Sequence, residues 1–409
     1  MAPISERLNR MKPSATMAVN AKALELKAQG REVFSLAVGE PDYPTPPHVI
    51  EAAKQSLDAG KTRYTAVHGV PELREALAKD YYGRLYGVAA KPENTLFSNG
   101  GKHSLYNLIM ALVNPGDEVL LPTPYWVSYP AMIELAEGVV RYVPSTEESG
   151  FLVTADDLEA ASSPKTRLLI MNSPSNPTGR VYPQEQLDEI ADWARRRGIF
   201  TISDEVYDLM VLPPAKHATL VRFWERHPES AAISGALSKT FCMPGLRAGY
   251  TLAHADLIKA CAKLQGQSTS NVSTTAQWAA LAAIQGPYDH IESMLEDLVQ
   301  RRDMAMGVIN AWPQVRCPAP EGAFYLFPVL EAYLSDEVPD TTALCTRLLE
   351  EAGVATVPGA AFGDPRCIRL SYAVSDDTLR TALDRIQRFL SKLPRKDPNK
   401  EKSHGRNCD

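Results

Sequence analysis

A single lysine stands among small and apolar residues in the stretch GALSKTFCMPGLRAGY (235–250). This residue, Lys239, follows an apolar run typical of a buried strand, and Arg247 comes eight residues later. A lone lysine is most often a hydrated surface residue. A lysine amine in apolar surroundings can instead act as a nucleophile that forms a Schiff base with a carbonyl group. The residues around it in the fold must distinguish these two interpretations.

Other chemically capable residues follow predicted strands in the same way. They are the glycine pair of Asn99-Gly100-Gly101-Lys102, Trp126 in PTPYW, Asn176 in NSPSNPTG, and Asp204 with Tyr207 in DEVY. In an open α/β sheet, ligands bind outside the carboxyl ends of the strands. We therefore expect these side chains to meet Lys239 at one edge of a sheet.

Each of these residues also has an ordinary structural interpretation. A glycine pair is common in tight turns, Trp126 could pack in the core, and NSPSNPTG could be a structured loop. Asp204 could cap a helix, Glu205 could be simple surface charge, and Tyr207 could be a core residue. The functional interpretation depends on the convergence of all the strand ends.

Together these groups predict a ligand with four chemical features. A glycine pair at a helix start can cradle a phosphate, and Trp126 can stack on a flat ring. Asp204 can pair with a ring nitrogen, and Lys239 can bond to an aldehyde. Pyridoxal 5′-phosphate (PLP) has all four features, and its chemistry uses an acid on the pyridinium nitrogen. We therefore expect PLP as the cofactor, and we predict no metal site.

The apolar runs themselves predict the fold. Seven of them lie at 95–98, 118–121, 139–143, 167–171, 200–203, 231–234 and 248–252. Helical patterns separate several of them, including 100–113, 125–137 and 184–198. Strands joined by helical crossovers indicate an α/β fold with a largely parallel, seven-stranded sheet.

A smaller αβ domain is predicted after a long helical pattern at 287–311. Its candidate strands are 324–329, 354–357 and 367–372, with helices near 341–352 and after Ser375, a suitable N-cap. We predict an N-terminal arm (1–45) that joins this domain, a large cofactor-binding domain (46–295), the small domain (296–395) and a disordered tail (396–409).

The composition argues against several classes of protein. A net charge of −6 disfavours nucleic acid or an anionic membrane as the main partner. The longest strongly apolar run, 104–113, is about half the ~20 residues that a membrane span needs. Six cysteines without C-x-x-C spacing suggest free thiols in a reducing compartment, so we expect a cytoplasmic protein. Neither a dinucleotide-binding G-x-G-x-x-G after a strand nor a P-loop is present.

The motifs resemble those of the class I, fold-type I, PLP-dependent aminotransferases, in particular the bacterial aspartate aminotransferase branch. The similarity runs from MKPSATMAVNAKA (11–23) to CIRLSYAVS (367–375), through GEPD (39–42), KTRYTAVHGVPELREAL (61–77), SNGGKH (98–103), PYWVSYP (124–130), NSPSNPTG (172–179), SDEVY (203–207), SK (238–239) and GLRAGY (245–250). It implies ping-pong transamination between an L-amino acid and a 2-oxo acid, through a pyridoxamine form. It also implies a homodimer.

The resemblance assigns roles around the cofactor ring. Lys239 would bind the cofactor aldehyde and then act as the base of a 1,3-proton shift, while Asp204 would pair with the pyridine nitrogen. Tyr207 and Asn176 would hydrogen-bond the 3-oxygen of the ring, and Trp126 would stack on it. Trp126 and Asn176 would also contact the substrate.

It further implies the groups that hold the phosphate and the substrate. The phosphate ligands would be backbone groups of Gly100, Gly101 and Lys102, the Arg247 guanidinium, Ser238, and Tyr64 of the neighbouring subunit. Arg369 would clamp the substrate α-carboxylate with its bidentate fork, and the Gly39 segment would close over the substrate. Lys102 and Thr16 would bind the distal carboxylate of aspartate or glutamate. Alternatively, Lys102 only supports the phosphate and Thr16 only shapes the arm.

Two departures leave the substrate open. The aspartate branch has a tryptophan before the arginine, whereas this chain has Met243-Pro-Gly-Leu246-Arg247. Ala236 stands where some relatives have a phosphate-binding serine. We expect transamination of aspartate or a similar dicarboxylate with 2-oxoglutarate. The alternative is a PLP enzyme of specialised metabolism with another donor, or one catalysing elimination, cyclisation or oxidation. A non-catalytic binding protein is disfavoured because Lys239 and Asp204 are both present.

Overall fold

The computed structural model describes residues 4–11 and 15–396 of the chain. Within them the α-helices are α1 (Glu6–Arg10), α2 (Ala15–Ala28), α3 (Pro47–Asp58), α4 (Pro71–Ala76), α5 (Gly101–Leu112), α6 (Tyr129–Leu135), α7 (Ala155–Ala161), α8 (Gln184–Arg196), α9 (Val221–Arg226), α10 (Leu237–Thr240), α11 (Ala255–Ser268), α12 (Thr274–Gln285), α13 (Asp289–Asn310), α14 (Thr341–Arg347) and α15 (Asp376–Leu390). Wider, π-helical turns continue α4 over Leu77–Tyr86 and α14 over Leu348–Ala352.

The strands of the same residues are β1 (Phe34–Ser35), β2 (Thr95–Asn99), β3 (Glu118–Pro122), β4 (Val139–Val143), β5 (Thr166–Asn172), β6 (Phe200–Asp204), β7 (Ala231–Ala236), β8 (Ala248–Leu252), β9 (Tyr325–Leu326), β10 (Val354–Ala355), β11 (Val357–Pro358) and β12 (Ile368–Ser371). All seven strands predicted between residues 95 and 252 are present, with ends that differ by two residues or fewer. The predicted fold class is confirmed.

The seven strands form one sheet in the order β2-β8-β7-β6-β5-β3-β4. Strand β8 runs antiparallel to both of its neighbours, and the other pairs are parallel. Between β7 and β8 the chain has only residues 237–247, too few for the helical crossover that parallel neighbours usually need. The chain therefore turns back on itself after β7, and this turn carries Lys239.

Successive strand residues point to opposite faces of the sheet, and both faces are buried at the central strands, whereas the edge strand β4 is largely exposed. Leu96 and Leu168 pack in a core cluster on one face, with α5 and α11. Phe97 and Leu169 pack in a different cluster on the other face, with α8 and α12. The continuous apolar runs of the sequence thus reflect a sheet enclosed between two layers of helices.

A second group of elements packs around a three-stranded antiparallel sheet, β11-β12-β9. Helices α13 and α15 cover it through a further apolar cluster, and β1 pairs in parallel with β10. Ser375 caps α15 as predicted, accepting a hydrogen bond from the Thr378 amide. The strand predicted at 324–329 is shorter, because Pro328 has no N–H to continue the regular pairing.

The predicted domain boundaries near residues 45 and 295 stay predictions. The predicted tail, apart from Lys396, lies outside the described residues. None of the helices in residues 4–11 and 15–396 is long and apolar enough to cross a membrane.

Candidate active site

A cavity of about 270 Å³ opens at the carboxyl ends of β5, β6 and β7, whose last residues Asn172, Asp204 and Ala236 line it. Most of the predicted site residues also line this cavity: Thr16, Gly39, Gly101, Lys102, Trp126, Asn176, Asp204, Tyr207, Ser238, Lys239, Arg247 and Arg369. Gly100 lies at its edge, in the turn before α5, and Tyr64 lies elsewhere. The residues gathered from distant parts of the sequence therefore share one cleft.

Lys239 lies in the one-turn helix α10, directly after β7. Its ammonium donates a hydrogen bond to the Gly39 carbonyl oxygen. Burial lowers the pKa of Lys239 to about 8, and Arg247 and Arg369 act in the same direction while Glu40 opposes them. A lysine with such a pKa is neutral in about one molecule in ten at pH 7, far more than an ordinary lysine, and the neutral amine is the nucleophilic and basic form.

Asp204 is the last residue of β6 and is buried. The Tyr129 hydroxyl donates to its Oδ2 at 2.6 Å. Burial raises the pKa of Asp204 to about 6, although the hydrogen bond from Tyr129 acts in the opposite direction. Above that pH the residue is a carboxylate facing the cavity, suited to a protonated ring nitrogen.

The end of the cavity opposite the sheet holds Arg369, whose side chain is 2% exposed. Its Nη1 donates to Asn176 Oδ1 at 3.1 Å and its Nη2 to the Ala37 carbonyl oxygen at 2.7 Å. No carboxylate pairs with Arg369 in the part of the chain that the structure describes, and its buried Nε has no hydrogen-bond partner there. A buried cation without a counter-charge is costly, so this site favours an incoming anion.

Aromatic rings surround that guanidinium. The Tyr325 ring centroid is 4.5 Å from Arg369 Cζ and the Phe362 centroid is 5.0 Å from it. The Tyr325 hydroxyl in turn lies 2.9 Å from the Tyr207 hydroxyl. Tyr325 thus connects the Arg369 end of the cavity to the sheet end.

The glycine turn before α5 is shaped for close contact. Gly100 has φ 84°, a left-handed conformation, and a Cβ added there would lie 2.1 Å from Arg247 Nη2. A Cβ on Gly249, in the adjacent strand, would lie 2.2 Å from the Gly100 carbonyl carbon. The Arg247 guanidinium therefore lies against the start of α5, where free amides and the helix dipole favour an anion.

Lys102 and Trp126 complete the wall next to this turn. The Lys102 ammonium is 5.2 Å from the Trp126 ring centroid. Burial, with a smaller contribution from Arg247, lowers the pKa of Lys102. Trp126 lies in a loop because α6 begins at Tyr129, later than the predicted 125, with Pro130 in its first turn.

Three residues that the sequence did not single out line this cavity or support it. Tyr129 holds Asp204, Tyr325 contacts both Arg369 and Tyr207, and Asn172 Oδ1 accepts from the Asn176 amide at 2.9 Å. The position of Tyr129 three residues after Trp126, at the start of a helix, was a usable signal. Tyr325 had none beyond its place in an apolar run.

Two predicted alternatives have clear outcomes. Glu205 is 3% exposed, so its interpretation as surface charge is wrong. Its carboxylate accepts from the Ser203 and Thr219 hydroxyls at 2.8 and 2.6 Å and lies 3.2 Å from His217 Nε2. It therefore anchors the loop before α9 to the end of β6. Asp204 does not cap a helix, because it ends a strand.

Tyr64 lies outside the cavity and is 91% exposed. It borders a separate groove, together with Arg63 and residues of the 271–275 segment. Within this subunit Tyr64 does not line the cavity that holds Lys239.

Comparison with known proteins agrees with this geometry. The family model described as aminotransferase class I and II matches residues 31–386. The chain is 42% identical over 400 residues to the aspartate/prephenate aminotransferase of Cereibacter sphaeroides, covering 96% of this chain and 100% of the relative. It is 40% identical over 388 residues to the aspartate aminotransferase of Geobacillus stearothermophilus, covering 95% and 98%.

A solved structure gives the same result in three dimensions. The aspartate aminotransferase of Thermus thermophilus with maleate superposes with a TM-score of 0.90 at 41% identity, covering 95% of this chain and 100% of that one. Motifs, fold and cavity thus agree with relatives over nearly the whole length. The chain belongs to the class I and II aminotransferases, and it is an enzyme that transfers amino groups.

Proposed function

We propose that the protein uses PLP to transfer the amino group of an L-amino acid, aspartate or a similar dicarboxylate, to a 2-oxo acid such as 2-oxoglutarate. The observation that carries this proposal is the partly buried Lys239 amine, with its pKa lowered to about 8, in one cavity with Asp204, Arg247 and Arg369. These are an amine for an aldehyde, an acid for a ring nitrogen and two cations for a phosphate and a carboxylate.

The residues present fit PLP at each of its functional groups. The amides at the start of α5, with Arg247 and Ser238, would hold the phosphate. Asp204 would hold the ring nitrogen, Trp126 would cover the ring, and Tyr207 and Asn176 would bind its 3-oxygen. When bound, PLP supplies an electron sink that stabilises negative charge at the substrate α-carbon.

The chain itself supplies binding and proton transfer. Arg369 binds the substrate α-carboxylate, which would satisfy the buried Nε that otherwise has no partner in the described residues. The Lys239 amine, whose lowered pKa raises its neutral fraction above that of an ordinary lysine, accepts and returns the proton at the substrate α-carbon. The segment around Gly39 contacts both side chains, since the Gly39 carbonyl oxygen accepts from Lys239 and the Ala37 carbonyl oxygen accepts from Arg369.

The preference for a dicarboxylate rests on Lys102 and Thr16, which line the same cavity. The Lys102 ammonium lies near the Trp126 ring, and the buried Thr16 hydroxyl has no partner among the described residues. Both could bind a distal carboxylate. The names of the relatives, aspartate aminotransferase and aspartate/prephenate aminotransferase, support the same class of donor.

We further propose that the enzyme is a cytoplasmic homodimer in which Tyr64 reaches the cofactor phosphate of the other subunit. The exposure of Tyr64 and its distance from its own cavity support this arrangement. Sedimentation should show a dimer. Mixing Tyr64→Phe subunits with Lys239→Ala subunits should yield hybrid dimers with one intact Lys239, at a site that receives wild-type Tyr64 from the other subunit.

The test of the function is a half-reaction panel with the purified PLP-loaded enzyme. Each of the twenty amino acids is added without an acceptor, and the loss of the visible absorbance of the cofactor is followed. Aspartate or glutamate should give complete and fastest conversion, reversed by 2-oxoglutarate. No conversion by any amino acid would overturn the proposal, and release of ammonia would instead indicate elimination.

A further inference from the structure

We infer that Tyr325 is a positioning residue with two separable parts: its hydroxyl orients Tyr207, and its ring supports Arg369. The inference rests on the proposed function, because it assigns Tyr325 a part in holding the same cofactor and substrate. Tyr325 is 1% exposed and lines the cavity.

The hydroxyl pair has a direction that chemistry fixes. The Tyr325 and Tyr207 hydroxyls lie 2.9 Å apart, and either could donate. Neither hydroxyl has another hydrogen bond within residues 15–396. A phenol has one proton to donate. If Tyr207 donates its proton to the 3-oxygen of the cofactor ring, only Tyr325 can donate within the pair. The hydrogen bonds then run in series from Tyr325 to Tyr207 to the cofactor.

Two hydrogen bonds in series strengthen the one from Tyr207 to the cofactor, because donors in series polarise one another in a low-dielectric interior. It also fixes the Tyr207 hydroxyl in place, since both groups are buried. A stronger donor to the ring oxygen favours the anionic form of that oxygen. Tyr325 should therefore influence how the bound cofactor titrates without touching it.

The ring has a different task. Tyr325 pairs with Ser371 across β9 and β12, which places it diagonally next to Arg369 on the same face. Its centroid is 4.5 Å from Arg369 Cζ. With hydrogen bonds to Asn176 and Ala37 fixing two guanidinium nitrogens, the aromatic face stabilises the buried charge and limits tilting of the fork.

The Gly39 segment encloses this arrangement. A Cβ on Gly39 would lie 3.0 Å from the Tyr325 hydroxyl oxygen, so the backbone of the segment packs directly on that group. Water is thereby kept from the hydroxyl pair on this side. The same segment accepts from Lys239.

Two substitutions separate the parts. Tyr325→Phe removes the hydroxyl and keeps the ring, whereas Tyr325→Leu removes both, with Tyr325→Met in its place if the Leu variant does not fold. Three quantities are measured: the dissociation constant of the cofactor-free protein for PLP, the pH midpoint of the absorbance change of the bound cofactor, and the dissociation constant of the PLP-loaded protein for maleate, a dicarboxylate that cannot donate an amino group.

Tyr325→Phe should weaken PLP binding about fivefold, as expected for one buried hydrogen bond. It should raise the pH midpoint by about half a unit through loss of the polarised donor. Maleate binding should stay within about twofold because the ring is kept, whereas Tyr325→Leu should weaken maleate binding about tenfold as well.

The matched control is Tyr372→Phe. Tyr372 is also buried in this core, and its hydroxyl donates to the Ala323 carbonyl oxygen at 3.2 Å, away from the cavity. The Tyr372→Phe substitution should leave all three measured quantities unchanged. Equal changes in the control, or wild-type values in Tyr325→Phe, would overturn the inference while leaving PLP binding by the wild type intact. Failure of the wild type to bind PLP would overturn the proposed function instead.

Discussion

The two ends of the cavity are built differently. At the end formed by the seven-stranded sheet, the reactive groups already have protein partners: Lys239 donates to Gly39, and Asp204 accepts from Tyr129. At the other end, on β12 of the three-stranded sheet, Arg369 is buried without a carboxylate partner in the described residues. The first end is prearranged for a group that stays, and the second for an anion that comes and goes.

The difference is energetic as well as geometric. Burial lowers the pKa of Arg369, which means that the charged form is disfavoured where it lies. A carboxylate that binds there offsets this cost, so part of the free energy of substrate binding comes from relief of an unpaired charge. The sheet end gains less from a substrate because its polar groups are paired.

The largest effect should come from the sheet end. Lys239→Ala removes both the covalent anchor and the proton acceptor, so turnover should fall below detection, a loss of about 10⁴-fold or more. Absorbance of the bound cofactor and steady-state rates check this. Lys259→Ala, on the exposed surface beside Asp256, is the control and should behave as wild type. Ordinary turnover in the Lys239 variant would show that the reactive amine does not lie at the sheet end of the cavity.

At the opposite end, Arg369→Ala should raise KM for every amino acid by about a hundredfold, because all share the α-carboxylate. PLP affinity should change little if the two ends act separately. Arg369→Lys, which keeps the charge and loses the fork, should give an intermediate KM. A loss confined to some amino acids would show that Arg369 does not bind the group they share.

Lys102 lies in the first turn of α5, next to the glycine turn, and its replacement tests whether its ammonium binds the substrate or the cofactor phosphate. Lys102→Ala should raise KM for aspartate by about tenfold and leave that for alanine within about twofold if the ammonium binds the distal carboxylate. Donor-by-donor kinetics measure this. Equal losses for both donors, with weaker PLP binding, would assign Lys102 to the phosphate.

The smallest effect concerns Tyr129. Since its hydroxyl lowers the pKa of Asp204, Tyr129→Phe should raise that pKa above about 6. The pKa of Asp204 in the folded variant then lies further above its unfolded value than in the wild type. The variant therefore loses more stability as pH rises through and above about 6. The cofactor-free variant should lose about 1–2 kcal/mol at pH 7.5 and less at pH 5, measured by thermal unfolding.

Tyr182→Phe is the control for that experiment. Its buried hydroxyl accepts from the Val153 amide at 3.1 Å, and no carboxylate is hydrogen-bonded to it among the described residues. Its cost should be the same at both pH values. A pH-independent loss in Tyr129→Phe as well would show that Tyr129 acts only through packing.

The sheet end could be predicted largely from the sequence, for a physical reason. Apolar runs separated by helical patterns define which strands are parallel, and parallel strands bring their carboxyl ends to one edge. Lys239, Asp204 and the Gly100–Gly101 pair were located in this way. Arg369 was placed only by resemblance, because no pattern in the sequence shows how a second sheet lies against the first.

Tyr325 could not be predicted because an aromatic residue in an apolar run is usually core, and Tyr129 had only its position three residues after Trp126 as a signal. Their functional contacts are made by hydroxyls whose partners lie 75 and 118 residues away in the sequence. Such pairs depend on the final packing of separate elements. The strand predicted at 324–329 was too long for a related reason, since Pro328 interrupts a run that the apolar pattern alone would continue.

The turn between β7 and β8, residues 237–247, carries Lys239 near its start and Arg247 at its end. Both ends of this stretch are fixed by strands of one sheet. Its length therefore sets the spacing between Lys239, the aldehyde-binding group, and Arg247, the phosphate-binding group. That length should tolerate no insertion or deletion, and Met243 within this stretch is buried in the core cluster that also contains Phe97 and Leu169. The Met243-Pro-Gly-Leu246 sequence therefore lies in a connection of fixed length, in which Met243 and Leu246 pack against the core.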